Sequence, residues 1–245
     1  MRAMGLAGAV LLWAMTTSQA SGALLTSGYE TQLETWLGQG DLNFTNIFTK
    51  VVGDGQDASH FHAESDGKGA TFTLVEVVAH NSVAYTSPIL IGGYNPLSWS
   101  SDNAHSYSSD DAERTAFIFN LTFSELRRQK LSTDAHAYYG DHQTSNFEWY
   151  GPTFGGGHDI YIDPGLTAGY SNTLSYGEDL AWSSTNILGE ISGYAIQFGR
   201  IEVYTFAPAA SSPSSVPEPS SCVMAGLAGL GLLVRRRKRR MRPRV

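Results

Sequence analysis

Residues 155–159, Gly155-Gly156-Gly157-His158-Asp159, put the most chemistry into the fewest positions of the chain. Consecutive glycines permit positive φ and close backbone approach, and successive backbone N–H groups can form an anion-binding nest. A titratable His–Asp pair stands beside that nest. The bland counterpart is a tight turn in which Asp159 bonds the loop's own backbone. On that reading Gly156 needs positive φ and His158 adds little to stability. His60-x-His62 could supply two metal ligands, but residues two apart on a helix diverge. Ser65-x-x-Lys68 has the form used by some serine hydrolases, without their partner motifs. Asp102, Asp110, Asp111 and Glu113 could make a glycosidase pair or a calcium site, yet their spacing selects neither over a solvated acidic loop. There is no G-x-S-x-G, H-E-x-x-H, Walker loop, C-x-x-C or dinucleotide fingerprint. No catalytic residue, metal or cofactor is therefore assigned. Trp99, Tyr138, Tyr139, Trp149 and Tyr150 offer ring faces that could stack on sugars. A subset must be core, because a half-buried strand hides every second position.

The elements that must position these residues are mostly strands. Thr71–Val78, Pro88–Ile91, Ala116–Phe123 and Tyr194–Phe206 are rich in β-branched and aromatic residues. Turn clusters separate them at Gly53-Asp54-Gly55, Gly92-Gly93-Tyr94-Asn95-Pro96, Gly155-Gly156-Gly157 and Asp163-Pro164-Gly165. Two short helices are expected. One is opened by Ser27-Gly28-Tyr29-Glu30 in S-x-x-E form, with Leu33, Trp36 and Leu37 on one face. The other is capped by Asp57 and runs through Phe61 and Ala63. The pattern predicts a mostly β sandwich of two antiparallel sheets flanked by a few short helices.

The two ends carry addresses. Arg2, the apolar run Ala7–Met15 and the small residues of Ser18-Gln19-Ala20 read as a signal peptide over 1–20, with Ser21-Gly22-Ala23 as a second cleavage site. Beyond a domain over 27–206 lies a Pro/Ser linker, 207–220, too poor in apolar residues to pack. An apolar segment, 221–234, and a basic tail, 235–245, complete the chain. The order Val216-Pro217-Glu218-Pro219, apolar segment, arginine block resembles the PEP-CTERM sorting signal. That resemblance implies a Gram-negative exporter whose exosortase cuts near the motif, often beside exopolysaccharide and biofilm production. A cation cluster resists translocation, so the tail stays cytoplasmic and the domain faces outward. The implied location is the cell envelope or cell surface, with inner-membrane anchoring through the C-terminal segment before processing.

Charge agrees with an outward domain. Seven of the 16 Lys and Arg lie in 24–206, against 22 of the 23 Asp and Glu, giving the domain a charge near −15. Such a field disfavours nucleic acid and anionic lipid. The one cysteine, Cys222, lies outside the domain, which therefore holds no disulfide. A domain of this length buries enough surface to stand without one.

Several segments resemble the TLDc domain family. Phe61-His62-Ala63-Glu64-Ser65-Asp66-Gly67-Lys68-Gly69-Ala70-Thr71 is similar to its F-H-x-x-C-D-G-K-G-P-T stretch, and Gly92-Gly93-Tyr94 with Trp99-Ser100-Ser101 to its GGY and WSS segments. Gly151-Pro152-Thr153-Phe154 through Ile162 is similar to its glycine-rich core, and Ile201-Glu202-Val203 to its closing strand. The resemblance implies a two-sheet sandwich and marks His62, Asp66, Gly67, Trp99 and Glu202 as motif positions. Ser65 and Ala70 depart from it. Without the family's Cys, thiol-based antioxidant chemistry is not expected. An exported domain also never meets the cytosolic proton-pump partner of the family's eukaryotic members. The expectation is a non-enzymatic surface module that binds an extracellular polysaccharide, another matrix component or an envelope protein, with an exosortase-type enzyme as processing partner. A polymer hydrolase using His158 or Asp159, or a structural biofilm component, is the alternative.

Overall fold

The computed structural model describes residues 22–191 and 193–210. The leader and the apolar and basic segments of the tail lie outside them, as do Val216, Pro217, Glu218 and Pro219. Among the described residues no helix is long and apolar enough to cross a membrane.

Helix α1 (Ser27–Leu37) begins one residue earlier in its capping than S-x-x-E suggests. Thr26, not Ser27, is the extended cap, and its hydroxyl accepts from the Tyr29 N–H. Gly38 ends the helix at φ 73°, a left-handed conformation that glycine adopts without a Cβ penalty. Strand β1 (Leu42–Lys50) follows. Helix α2 (Ala58–Ser65) starts at Asp57 as expected, whose carboxylate accepts from the N–H groups of Ser59 and His60 while the His60 ring returns a bond to the Asp57 N–H. The Ser59 hydroxyl and the His60 ring, followed by the His60 N–H, hold the Asp57 carboxyl down at about 2.

Strands β2 (Thr71–His80), β3 (Val83–Asn95), β4 (Ala104–Tyr107), β5 (Phe117–Asn120), β6 (Glu125–Arg128), β7 (His142–Asn146), β8 (Tyr161–Ile162), β9 (Ala168–Tyr170) and β10 (Ile196–Pro208) complete the set. The large sheet runs β6-β5-β3-β2-β10-β9-β8, with β1 also paired to β10. A second, two-stranded antiparallel sheet joins β4 to β7. The protein is thus mostly β, two antiparallel sheets with short helices, as the sequence pattern predicts.

The large sheet is buried on both faces, which is why its strands read as apolar runs rather than alternating ones. Phe72 and Leu74 point to one side with Leu90, Phe117, Phe119 and Leu33 of α1. Val75, Val77, Ile91, Ile118 and Val203 point to the other, with Phe61, Trp99 and Phe154. In β10 the register slips between Phe198 and Ile201, so Phe198 and Ile201 share a face although they differ by an odd number of residues.

Two expectations fail for packing reasons. Gly92 and Gly93 sit inside β3, not in a turn. A Cβ on Gly92 would lie 1.9 Å from the Thr73 carbonyl oxygen, and one on Gly93 would lie 2.6 Å from the Phe154 ring. These glycines let the second layer close onto the sheet. The strand expected through Phe123 stops at Asn120, whose side chain accepts the Phe123 N–H and turns the chain.

Candidate functional site

The glycine loop closes a turn between Phe154 and Ile160, whose backbones bond each other in both directions. Each glycine is required for a different reason. Gly155 has φ +81°, and a Cβ there would lie 2.2 Å from Asp159 Oδ2. Gly156 does not have positive φ, contrary to expectation; a Cβ there would collide with the His142 ring at 2.3 Å. Gly157 faces Leu174 Cδ1 at 2.0 Å, and the Gly157–His158 peptide is cis. The nest is not open to a ligand, because the Gly155 N–H donates to the Gln143 carbonyl and the Gly156 N–H to Ser175 Oγ.

Asp159 is fully buried. Its carboxylate accepts from the backbone N–H groups of Leu174 and Tyr176 on one oxygen and of Ser175 on the other, at 2.9–3.1 Å. It therefore ties the loop to the 174–176 segment instead of to its own backbone. Burial pushes the carboxyl up to about 6, opposed by the three N–H donors and by Lys130. A group so enclosed cannot touch a polymer.

His158 faces the other way, but it is not a loose surface residue. It is 9% exposed, and its Nδ1 lies 2.9 Å from the Gly155 carbonyl. That acceptor places the proton on Nδ1 and leaves the Nε2 lone pair outward. Burial lowers its pKa, the Gly155 bond raises it, and nearby His142 lowers it. Its burial and this bond argue against the expectation that His158 adds little to stability.

Around His158 the rings form a continuous ribbon that one-dimensional spacing does not reveal. Tyr138 meets Tyr139 at 6.2 Å between centroids, and Tyr139 meets His142 at 5.1 Å. His142 meets His105 at 5.1 Å, and His105 meets His158 at 6.3 Å. Beyond His158 come Tyr170 at 6.0 Å and then Tyr194 at 5.8 Å. Side rings widen the path: Tyr107 on His142, Phe147 on His105, Trp149 on Phe147, and Tyr150 and Tyr161 beside His158. Trp149 is 48% exposed, Tyr107 53%, Tyr194 56% and Tyr138 90%. Trp99, grouped with the sugar-stacking candidates from sequence, is core instead. It is 1% exposed, wedged between Phe61 and Phe154, and donates from Nε1 to Thr71 Oγ1.

Three histidines occupy the middle of the ribbon, and each Nδ1 is held. His142 Nδ1 donates to Asp141 Oδ1 at 2.8 Å. His105 Nδ1 donates to Ser145 Oγ at 2.9 Å, since that hydroxyl passes its own proton to the Gly155 carbonyl. Burial, then the neighbouring His142 and His158, lower the pKa of His105. Among the described residues no group of three His, Cys, Asp or Glu side chains is disposed to hold a metal ion.

The motif residues marked from sequence brace this ribbon from behind. His62 is buried and bonds the Phe147 and Tyr150 carbonyls at 3.1 Å through Nε2 and Asp66 at 2.8 Å through Nδ1. Asp66 accepts Ser101 Oγ at 2.5 Å. The Gly67 N–H, at φ +70°, donates to the Trp99 carbonyl. This Ser–Asp–His line is not a catalytic triad, because Ser101 meets the carboxylate and not the imidazole, whose far nitrogen is already engaged. His60 serves its helix cap, and Ser65 is buried while Lys68 is exposed. Glu202 is remote from the ribbon. It is buried, accepts the Leu24 N–H and the Tyr204 hydroxyl, and pairs with Arg200. Asp110 caps a 3-10 turn at Asp111–Glu113 and Asp111 pairs with Arg114 and Ser132; Asp102 accepts the Ala104 N–H.

A family model described as the TLDc domain matches residues 19–207. A second, described as the PEP-CTERM protein-sorting motif, matches residues 215–240. Among curated proteins no sequence matches the chain.

Proposed function

We propose that this chain, which belongs to the TLDc domain family and carries a PEP-CTERM sorting signal, is an exosortase-processed, exported module that binds a matrix component outside the cell and does not turn it over. The observation that carries this reading is the division of labour at the glycine loop. Asp159 is sealed beneath it by three backbone bonds, while His158 joins an exposed ribbon of rings. A hydrolase that used His158 and Asp159 together would need both within reach of one bound substrate. Here the carboxylate faces inward and the imidazole outward. Binding needs only a presented surface, and the ribbon is one.

The experiment incubates the exported protein with the producer's own extracellular matrix. Retention without new reducing ends, weakened by Trp149→Ala, is the expected outcome. New reducing ends, abolished by His158→Ala or Asp159→Asn, would move the protein to the hydrolase class. Intact mass measurement of the envelope form should show loss of the leader and of the arginine tail. Recovery of a full-length cytoplasmic chain would overturn the export reading.

A further inference from the structure

The ribbon's chemistry narrows what it can hold. Its rings are amphipathic, each an apolar face with one polar tip. The hydroxyls of Tyr107, Tyr139, Tyr150, Tyr161, Tyr170 and Tyr194 bond no protein group among the described residues, and neither does Nε2 of His105, His142 or His158. Tyr107, Tyr139 and Tyr194 are exposed residues, and the tips of the others are not sealed from solvent. Burial raises the Tyr161 hydroxyl's pKa and takes that of Tyr170 to about 12, so both remain neutral donors. Among the described residues no arginine or lysine stacks on the ribbon; the cation–ring contact present there is the exposed Arg128 over Phe117, on the large sheet.

We propose, building on the binding reading above, that the exposed rings of the ribbon hold an uncharged polysaccharide, pyranose faces on Tyr107, Tyr138, Trp149 and Tyr194 and sugar hydroxyls on the phenol and imidazole tips. Three observations converge on that occupant. First, the rings are continuous, each centroid from Tyr138 to Tyr194 lying 5.1–6.3 Å from the next, and the rings most open to solvent, Tyr138, Tyr107, Trp149 and Tyr194, stand along that line. Second, ring faces carry negative quadrupole and attract the weakly positive C–H face of a pyranose, while the tips meet its equatorial hydroxyls. Third, charge separates the alternatives. A polyanion meets a domain near −15 and finds no cation on the ribbon. A polycation would be drawn to the whole surface by long-range charge, and that attraction is screened beyond about 10 Å at 0.1 M salt.

The test uses the full chain in a detergent without a sugar headgroup, run on native gels cast with hydroxyethyl cellulose, laminarin, alginate or glycol chitosan. At least one neutral glucan should retard the protein equally in 20 and 500 mM salt (about 0.02 and 0.5 M). Trp149→Ala and Tyr194→Ala should each weaken that retardation about tenfold, the usual scale for losing one exposed anchor ring. Circular dichroism should show both variants folded, since neither ring is core. Stronger retardation by alginate, retardation by glycol chitosan alone that vanishes in salt, or ring variants that leave neutral retardation unchanged would each overturn the proposal. Binding of the producer's matrix is measured in parallel. If the ring variants lose the matrix while neutral glucans never bind, the ligand class falls and the binding reading stands. If matrix binding ignores the rings, both fall.

Discussion

Gly155→Ala isolates what the glycine loop does for the fold. Two independent costs act at this position. The residue has φ +81°, which costs an alanine about 1–2 kcal/mol. The new methyl would also lie 2.2 Å from Asp159 Oδ2, far inside contact distance, in a buried site where overpacking costs about 1–3 kcal/mol. The carboxylate cannot move aside freely, because it holds the Leu174, Ser175 and Tyr176 N–H groups. Losing even one such charge-assisted bond removes about 1.5–3 kcal/mol. These costs overlap, so about 3 kcal/mol is the working figure, near a third of the stability of a typical domain. The melting midpoint should fall by about 6–12 °C for a domain of this size. Gly156→Ala is the control. Its φ is ordinary and its clash is with His142, whose side chain is partly exposed. It should cost about 1 kcal/mol yet displace the His142 ring and weaken ribbon binding. Urea titration followed by tryptophan fluorescence measures both. If Gly155→Ala unfolds within about 0.5 kcal/mol of wild type, or if Gly156→Ala proves the worse of the two, the account of Asp159 as the loop's internal tie is wrong.

Acid should destabilise the domain through its histidines before its carboxylates. His105 and His158 have depressed pKa values, chiefly from burial, so as pH falls through about 6.5 the unfolded chain takes up protons that the folded one refuses, and stability drops. Asp159, raised to about 6, acts in the opposite sense: the folded form gains protons first, and stability rises as pH falls from about 6 toward 3.8. Urea midpoints between pH 8 and 5 should therefore decline less steeply in His105→Gln than in wild type; an equal decline would remove His105 from the explanation. Asp57→Ala strips α2 of its cap and should cost about 1 kcal/mol by the same titration, and no change would mean that α2 is held by packing alone. Reductant should leave the melting curve of the domain unmoved, because Cys222 lies outside it, and a shift would refute the single-cysteine accounting.

The β class was legible because β-branched and aromatic residues crowd Thr71–His80 and Ile196–Phe206, and burial of the sheet on both sides puts apolar residues on both faces of these strands. The Asp57 cap was legible because capping is local, three residues of chain and one carboxylate. Gly92 and Gly93 misled for the opposite reason. A glycine admits a turn or a close contact equally well, and only the Thr73 carbonyl and the Phe154 ring, 19 and 61 residues away, decide which. The short strands β4 and β7 escaped notice because Ala104–Tyr107 and His142–Asn146 are polar, and their pairing is fixed by the layer they complete. Tyr139, Trp149 and Tyr150 were named from the sequence. His105, His142, Tyr161 and Tyr170 were not, because a ribbon assembled from separate loops and strands has no spacing of its own.

That assembly also explains how a motif can persist in shape while its surface changes use. His62 and Asp66 act through hydrogen bonds to the Phe147 and Tyr150 carbonyls and the Ser101 hydroxyl, that is, to backbone and to a neighbour, never to the outward rings. The bracing is indifferent to which side chains stand at 147–150. Aromatic residues can therefore be exchanged on the outer face without disturbing the inner latch, and the same framework can present different surfaces. His62→Ala separates the two roles. It removes the bonds to Asp66 and to the Phe147 and Tyr150 carbonyls while touching no exposed ring; the Phe147 carbonyl keeps the Tyr150 N–H but the Tyr150 carbonyl loses the imidazole, a loss of about 1–3 kcal/mol. Glycan retardation should fall with it, since Trp149 and Tyr150 lose their fixed position. His62→Gln, whose amide can still donate toward one carbonyl, should recover part of both. If binding survives His62→Ala intact while stability drops, the latch and the ribbon are mechanically independent and the second layer is held by Phe154 and Trp99 alone.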